Sequence, residues 1–291
     1  MNCDLHVHTR ASDGALTPEE VIRRAREAGL EAVAVTDHDT TAGLEEALEA
    51  GRRLGVLVVP GIEISTEWQE EEVHLLGYWL DFRQNWLQER LTRRREGRLR
   101  RAEKIVRRLG ELGLDVSWQR VLDLAGGAAV GRPHIALALV EKGYAPSLEE
   151  AFRRYLNRGA PAYIPRTPLS PAEAVAIIRR AGGAPVLAHP GLLKKREMLS
   201  ELLELDLAGL EVYYPAHDAS TVAWLEKVAQ QRQLIGTGGS DFHGHPGGGY
   251  AELGACRVSC KVVEALQAKA RAGRGEVTMD EGLRPMAAER G

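Results

Sequence analysis

Short apolar runs and amphipathic helices of about a dozen residues take turns along this chain, and that alternation limits its fold more than any other feature. "NCDLHVH" reads as a strand, "LTPEEVIRRAREAGL" as a helix, "EAVAVTDHD" as a strand and "AGLEEALEAGRRLG" as a helix. "VLVVPGIEIS" and "EVHLLGYWL" read as further strands. Strands separated by helices indicate parallel β/α architecture. The first helix carries its own boundaries. Thr17 is a candidate N-cap, Pro18 takes the first helical position and Glu20 completes a capping box. Gly29 lies where a left-handed C-terminal residue is wanted.

The rhythm breaks near Asp81. From Asn85 to about Gly113 the chain reads as one long arginine-rich helix. "SWQRVLDLAGG", "RPHIALALVEKG" and "SLEEAFRRYLNRG" add helices with no convincing strand between them. Residues 83–160 are expected to form an all-helical insertion, with 1–82 and 161–291 making the β/α part. Strand and helix then alternate again through "SPAEAVAIIRRAGG", "APVLAHPG", "REMLSELLELD", "GLEVYYP", "DASTVAWLEKVAQQRQ" and "LIGTGGSDFHG". A closing helix follows near "KVVEALQAKARAG", and the final dozen residues read as frayed.

Composition narrows the options. A chain of 291 residues suits one large α/β domain, or a domain carrying an insertion. A formal net charge of -3 gives no global basic field, so any polyanion would have to be met locally. Cys3, Cys256 and Cys260 form neither a disulfide framework nor a paired zinc motif; reduced, partly buried thiols of a cytosolic protein are expected. The N-terminus lacks a signal-peptide pattern, and no apolar run approaches the roughly 18 residues of a spanning helix. The expectation is a soluble, cytoplasmic protein with no membrane association and no stable protein partner.

The nine histidines carry the chemical information. His6 and His8 lie in the first strand, His38 ends the second, and His74 sits in "EVHLLG". His189, His217 and His243 each end or follow a later strand, and Asp13, Asp37, Glu63 and Asp241 occupy similar places. In a closed parallel barrel the C-terminal strand ends share one rim, so residues far apart in sequence converge there. Side chains alternate along a strand, so His6 and His8 point to one side. Two imidazoles on one face can grip a cation, whereas two free buried imidazoles would only lose hydration. Mixed nitrogen and carboxylate donors suit Zn, Mn or Fe.

"DLHVHTRASDG", "TDHDT", "GIEIS", "LAHPG" and "GSDFHG", in this order, resemble the successive signatures of the PHP (polymerase and histidinol phosphatase) family. The likeness covers about two-thirds of the chain. It implies an α/β fold, a distorted (β/α)7 TIM-like barrel, holding two or three divalent metal ions. One ion would take His6, His8, Glu63 and Asp241. A second would share Glu63 and add His74 and His189. A third would take Asp13, His38 and His243, although many members carry histidine where this chain has Asp13.

"GRPHIALALVEKG" and "RRYLNRGAPAYIP" resemble members that act as nucleoside 3′,5′-bisphosphate phosphatases and as 5′-to-3′ exoribonucleases on short RNA. That similarity implies that Arg132, His134, Asn157 and Arg158 help to hold a substrate phosphate. Arg132 also stands just before Pro133 at a helix start, where backbone donors and a guanidinium favour an anion; a structural ion pair is the alternative. The run "RRREGRLRR" over 93–101 reads either as a solvated helix face or as a strip guiding an oligonucleotide backbone. Trp86, Trp118 and Tyr155 are too isolated to mark a stacking platform.

The expected reaction is phosphoester hydrolysis by a water that bridges two cations and attacks phosphorus in line. No nucleophile elbow or activated cysteine motif is present. Asp241 is expected in the catalytic set, and His217 as general acid or phosphate ligand. Two competing readings use the same residues: phosphatase of another small monoester such as histidinol phosphate, and a non-catalytic, metal-stabilised nucleic-acid-binding module.

Overall fold

The first strand, β1 (Cys3–Val7), is completely buried, and every later strand is laid down in order beside it. The computed structural model describes residues 2–126, 130–165, 169–195, 197–245 and 250–276. The expected fraying of the last dozen residues lies outside this range. β1 is followed by α1 (Pro18–Glu27), β2 (Ala32–Val35), α2 (Leu44–Leu54), β3 (Leu57–Trp68) and β4 (Glu71–Tyr78). The Thr17–Glu20 capping box forms as its residues dictate, and Gly29 closes α1 at φ 70°.

Next come α3 (Asn85–Glu111), α4 (Trp118–Ala125), α5 (Arg132–Glu141) and α6 (Leu148–Ala151), which runs into a π-helical turn at Phe152–Leu156. No strand interrupts residues 83–160 among those described. Ile105, Leu109, Val121, Ile135, Leu139 and Leu156 are the centre of a hydrophobic cluster built within this stretch. Then α7 (Pro171–Arg180), β5 (Ala184–Leu187), α8 (Glu197–Leu202), β6 (Gly209–Tyr213), α9 (Ala219–Gln231), β7 (Ile235–Gly238) and α10 (Cys260–Glu276) complete the order.

The seven strands follow the sequence order β1 to β7, and bridges from Val7 to Phe242 and from Cys3 to Val258 nearly close the ring. This is the expected distorted seven-stranded α/β barrel, with one departure. β4 runs antiparallel to both β3 and β5. Only Gln69 and Glu70 separate β3 from β4, too few for a crossover, and both take positive φ as a tight hairpin demands. His74 therefore sits in mid-strand opposite Ser65, not at a strand end.

The cysteine expectation is corrected as well. Cys3 and Cys260 form a disulfide across a sequence separation of 257, with Cα atoms 5.8 Å apart; only Cys256 is free. The cause is topological: the backbone of Cys3 pairs with Val258, which places Cys260 beside β1. No helix among the described residues is long and apolar enough to cross a membrane.

Candidate metal centre

Glu63, on β3, is the hub. Its carboxylate is 1% exposed, and five imidazoles converge on it. His6 Nε2 lies 3.2 Å from Oε2, His8 Nε2 3.1 Å and His38 Nδ1 3.1 Å; His74 Nδ1 lies 2.7 Å and His189 Nε2 3.3 Å from Oε1. Asp241 closes the ring, with Oδ1 3.3 Å from His6 Nε2 and 3.0 Å from His8 Nε2. Beside this, Asp13 Oδ1 lies 3.5 Å from His243 Nε2 and 3.8 Å from His8 Nδ1.

These contacts resolve into three groups of ligand atoms, each within 4.8 Å: His6, His8, Glu63 and Asp241; His38, Glu63 and His74; and His8, Asp13, His38 and His243. The first matches the set implied by resemblance. In the second His38 is present where His189 was expected, and in the third His8 joins Asp13, His38 and His243.

The local backbone is bent to this purpose. His189 and Asp241 take positive φ of 31° and 52°, a costly conformation for residues with a Cβ that here turns both side chains inward. Gly239 is required for a different reason: a Cβ there would stand 2.4 Å from the Cβ of His6. The Gly-Gly-Ser turn after β7 can thus pass directly against β1.

The donor set fits divalent cations. His6 Nε2, both nitrogens of His8, His38 Nδ1 and Glu63 Oε2 are buried without a hydrogen-bond partner. Such orphaned atoms are costly unless a cation satisfies them together. The electrostatics agree. Burial disfavours a charged His6, yet Glu211, Asp241 and Glu63 raise it well above its usual range. His8 is likewise raised to about 10 against burial, by Asp241 and Glu63. His38 goes down to about 3, because burial dominates there. Burial would raise Glu63, Asp13 and Asp241, but the surrounding imidazoles hold all three well below the usual carboxylate range. The cluster demands positive charge at its centre.

Several residues that brace the cluster escaped sequence reasoning. Glu211 on β6 is fully buried; it contacts His6 Nδ1 at 3.0 Å and accepts the backbone N–H of His189 at 2.7 Å. Its signal was a lone carboxylate inside the apolar "GLEVYYP" run. The Tyr214 hydroxyl donates to Asp241 Oδ2 at 2.9 Å, leaving Oδ1 for the imidazoles. Asp37, one of the strand-end acids singled out in the sequence, accepts from Thr9 and Ser12 and pins the loop after β1. Tyr250 stacks on His243 at 4.0 Å, and His245 contacts the Asp13 carbonyl at 2.7 Å.

The expected substrate residues occupy the surroundings. Arg132 gives an N–H to Glu72 at 2.6 Å, and Glu72 in turn contacts His74 at 3.3 Å. Arg132 lines the same cavity as His38, His74 and Asp13. His134 is buried and turned inward, accepting the Gly131 N–H at the start of α5. Asn157 and Arg158 line a neighbouring pocket that also includes Arg132, and Arg158 bonds Glu67 at 2.6 Å. His217 has both ring nitrogens engaged by backbone: Nδ1 donates to the Val212 carbonyl at 2.9 Å and Nε2 accepts the Gly191 N–H at 3.1 Å. It braces β6 against the turn after His189.

Comparison with known proteins places this geometry. The PHP domain pattern matches residues 4–158. The chain is 37% identical over 247 residues to the 5′-3′ exoribonuclease Rnm of Salmonella typhimurium, covering 82% of this chain and 84% of that protein. It is 37% identical over 259 residues to the 3′,5′-nucleoside bisphosphate phosphatase of Chromobacterium violaceum, covering 87% and 90%. A crystal structure from Bifidobacterium adolescentis, described as a candidate metal-dependent phosphoesterase, superposes with a TM-score of 0.84 at 33% identity, covering 92% of this chain and 96% of the other. Fold, donor set and relatives together define a metal-dependent phosphoesterase. The chain belongs to the PHP domain family.

Proposed function

We propose that the protein hydrolyses phosphate esters of nucleotides, removing the 3′-phosphate of nucleoside 3′,5′-bisphosphates or shortening RNA from its 5′ end. The observation that carries this is the convergence of five imidazoles on the buried Glu63 carboxylate, beside a cavity walled by Arg132, Arg98 and Arg101. Both named relatives act on such substrates.

In this reading His6, His8, Glu63 and Asp241 would hold one ion; Glu63, His74 and His189 would hold a second; Asp13, His38 and His243 would hold a third. Mn, Zn and Fe are the metals such donors suit. When bound, ions of this kind supply Lewis acidity and generate a nucleophile from water near neutral pH. The chain supplies the rest. Glu211 and Tyr214 fix the orientation of His6 and Asp241. Glu63, shared between sites, stays ionised and serves as a bridge, not a proton carrier. Arg132, held in place by Glu72, offers its remaining guanidinium N–H groups to a phosphate, with Asn157 and Arg158 one pocket further out. His134 shapes the start of α5 and so positions Arg132. His217 is a positioning residue for the His189 turn. Residues 83–160 act as a substrate-capping insertion over the barrel portions 1–82 and 161–291. The reading keeps the enzyme in the cytoplasm without a stable protein partner, on the absence of a signal-peptide pattern, with the Cys3–Cys260 disulfide an exception to the reduced thiols usual there.

The test is phosphate release from adenosine 3′,5′-bisphosphate, a 5′-phosphorylated oligoribonucleotide and histidinol phosphate in the presence of Mn²⁺. Turnover of the first two and little of the third is expected. Arg132→Ala should raise KM about tenfold for the bisphosphate, the value of one charge-assisted contact, and much less for a simple monoester. Preference for histidinol phosphate, or equal losses on both ester types, would overturn the assignment.

A further inference from the structure

The cavity over the metal cluster does not end at Arg132. Arg98 and Arg101 line it and also line a second, larger groove of about 510 Å³ that runs along α3. Arg98 reaches the carbonyl of His38 at 3.2 Å, so the groove starts at a residue of the cluster itself. Seven of its lining residues are Arg or Lys, against two carboxylates, Asp39 and Glu173. Arg90, Arg94, Arg101 and Lys104 repeat at helical spacing along one face of α3. From residue 90 to 104 this face is about 21 Å long at 1.5 Å per residue.

Three details separate this stripe from an ordinary solvated helix surface. Asp39 reaches into the stripe from the barrel; it is 1% exposed and paired to Arg94 at 2.9 Å and Arg98 at 3.5 Å. It anchors the middle of the stripe, where the groove meets the cluster. Arg93 and Lys104, on either side of that anchor, have no ion pair among the described residues, so both flanks stay electropositive. Gly97 lies in the middle of the groove wall, and a Cβ there would meet nothing within 4 Å. Glycine in a helix interior is unfavourable by about 1 kcal/mol relative to Ala. No packing contact accounts for it; a side chain at 97 would project into the groove. The opposite wall is Ile164, Pro165 and Leu169, and among the described residues the groove lining contains no aromatic ring.

We propose that the arginine face of α3 is a track for the sugar–phosphate backbone of a single-stranded oligonucleotide whose terminal ester lies in the metal centre. This rests on the phosphoesterase reading above and selects, among its substrates, chains longer than a mononucleotide. The chemistry of the groove predicts how the strand is held. Cations without aromatic platforms grip phosphates and leave the bases unread, so recognition is independent of sequence and sensitive to salt. A stacked strand carries one phosphate per about 3.4 Å, so the stripe accommodates on the order of six.

The experiment compares the wild-type protein with Arg90→Gln/Arg93→Gln/Lys104→Gln and, separately, with Gly97→Leu. KM of the wild type should fall as a 5′-phosphorylated oligoadenylate lengthens from two nucleotides to about six and then level off. The triple variant should lose that length dependence, with KM for the hexamer raised about tenfold or more. The salt slope of hexamer binding, read by fluorescence anisotropy, should drop by about two, at about 0.7 per phosphate contact of a single strand. Gly97→Leu should raise the melting temperature yet weaken hexamer binding. Kinetics on adenosine 3′,5′-bisphosphate should change less than twofold in both variants. The proposal is overturned if hexamer binding, its salt slope and its length dependence are the same in all three proteins. Failure of the phosphoesterase reading would look different: no turnover of any nucleotide, with the anisotropy still reporting on the groove.

Discussion

The metal cluster and the arginine face of α3 adjoin at His38 and Arg98, yet the chain builds them by opposite means. The cluster gathers side chains from positions 6 to 243, and each depends on closure of the barrel. The stripe comes from one helix, and its order is helical periodicity alone. In the cluster, opposite charges interlock in a buried volume around a single carboxylate. On the stripe, like charges stand in partial contact with water. A buried, interlocked site should fail as a unit; an exposed row of charges should weaken step by step.

The sharpest way to break that contrast is Glu63→Gln. Five imidazoles face this carboxylate. Removing its charge should lower hydrolysis of mononucleotide and oligonucleotide alike by about a thousandfold or more, the scale of losing a central electrostatic element. Bound metal, measured by elemental analysis, should fall in parallel. Retention of both would mean that Glu63 is not the hub. Chelation of the wild type should lower its melting temperature, and metal restored at a hundredfold excess over its Kd should return about 2.7 kcal/mol.

Glu211→Gln tests how far cooperation spreads from the hub. It leaves every proposed ligand in place and loosens only the ring of His6 and the turn at His189. Metal affinity should fall about 10–100-fold, with kcat recovering at saturating metal. Loss of kcat that excess metal does not rescue would put Glu211 among the reacting groups instead.

The mildest probe concerns the strand that carries His6 and His8. Burial, with Asp4 and Glu211 nearby, pushes the Cys256 thiol up to about 11. Only about one molecule in a thousand then holds the reactive thiolate at pH 8. The native, unreduced protein should resist alkylation; unfolding should expose the single free thiol, and reduction all three cysteines. Three thiols without reductant would show that β1 and α10 are not covalently joined.

The features that sequence reasoning recovered are those whose cause is local. The Thr17–Glu20 box lies within four residues, and strand–helix alternation needs no knowledge of tertiary contacts. A histidine inside an apolar strand is also conspicuous by itself, which is why the cluster residues were legible. Strand direction was less so. β4 has the same apolar character in either orientation, and the two-residue link at Gln69–Glu70, which settles the matter, lacks the usual Asn-Gly signature. Glu211 and Tyr214 looked like ordinary strand residues, because bracing depends on what stands opposite. The contacts of His217 were hidden for the same reason: its two backbone partners are invisible until the turn after His189 is placed. The disulfide required residues 257 apart to meet, and composition speaks only to compartment, not to proximity.

Closure of β1 against the segment after β7 also sets a schedule. The ribosome makes His6 and His8 more than 230 residues before it reaches Asp241 and His243. At 5–20 residues per second that gap is on the order of ten to fifty seconds. For that interval the nascent chain carries half a chelating site, and no shorter translation product can hydrolyse anything. Activity arrives late and all at once, so a message truncated before the final strand yields an inert protein, not a weakened one.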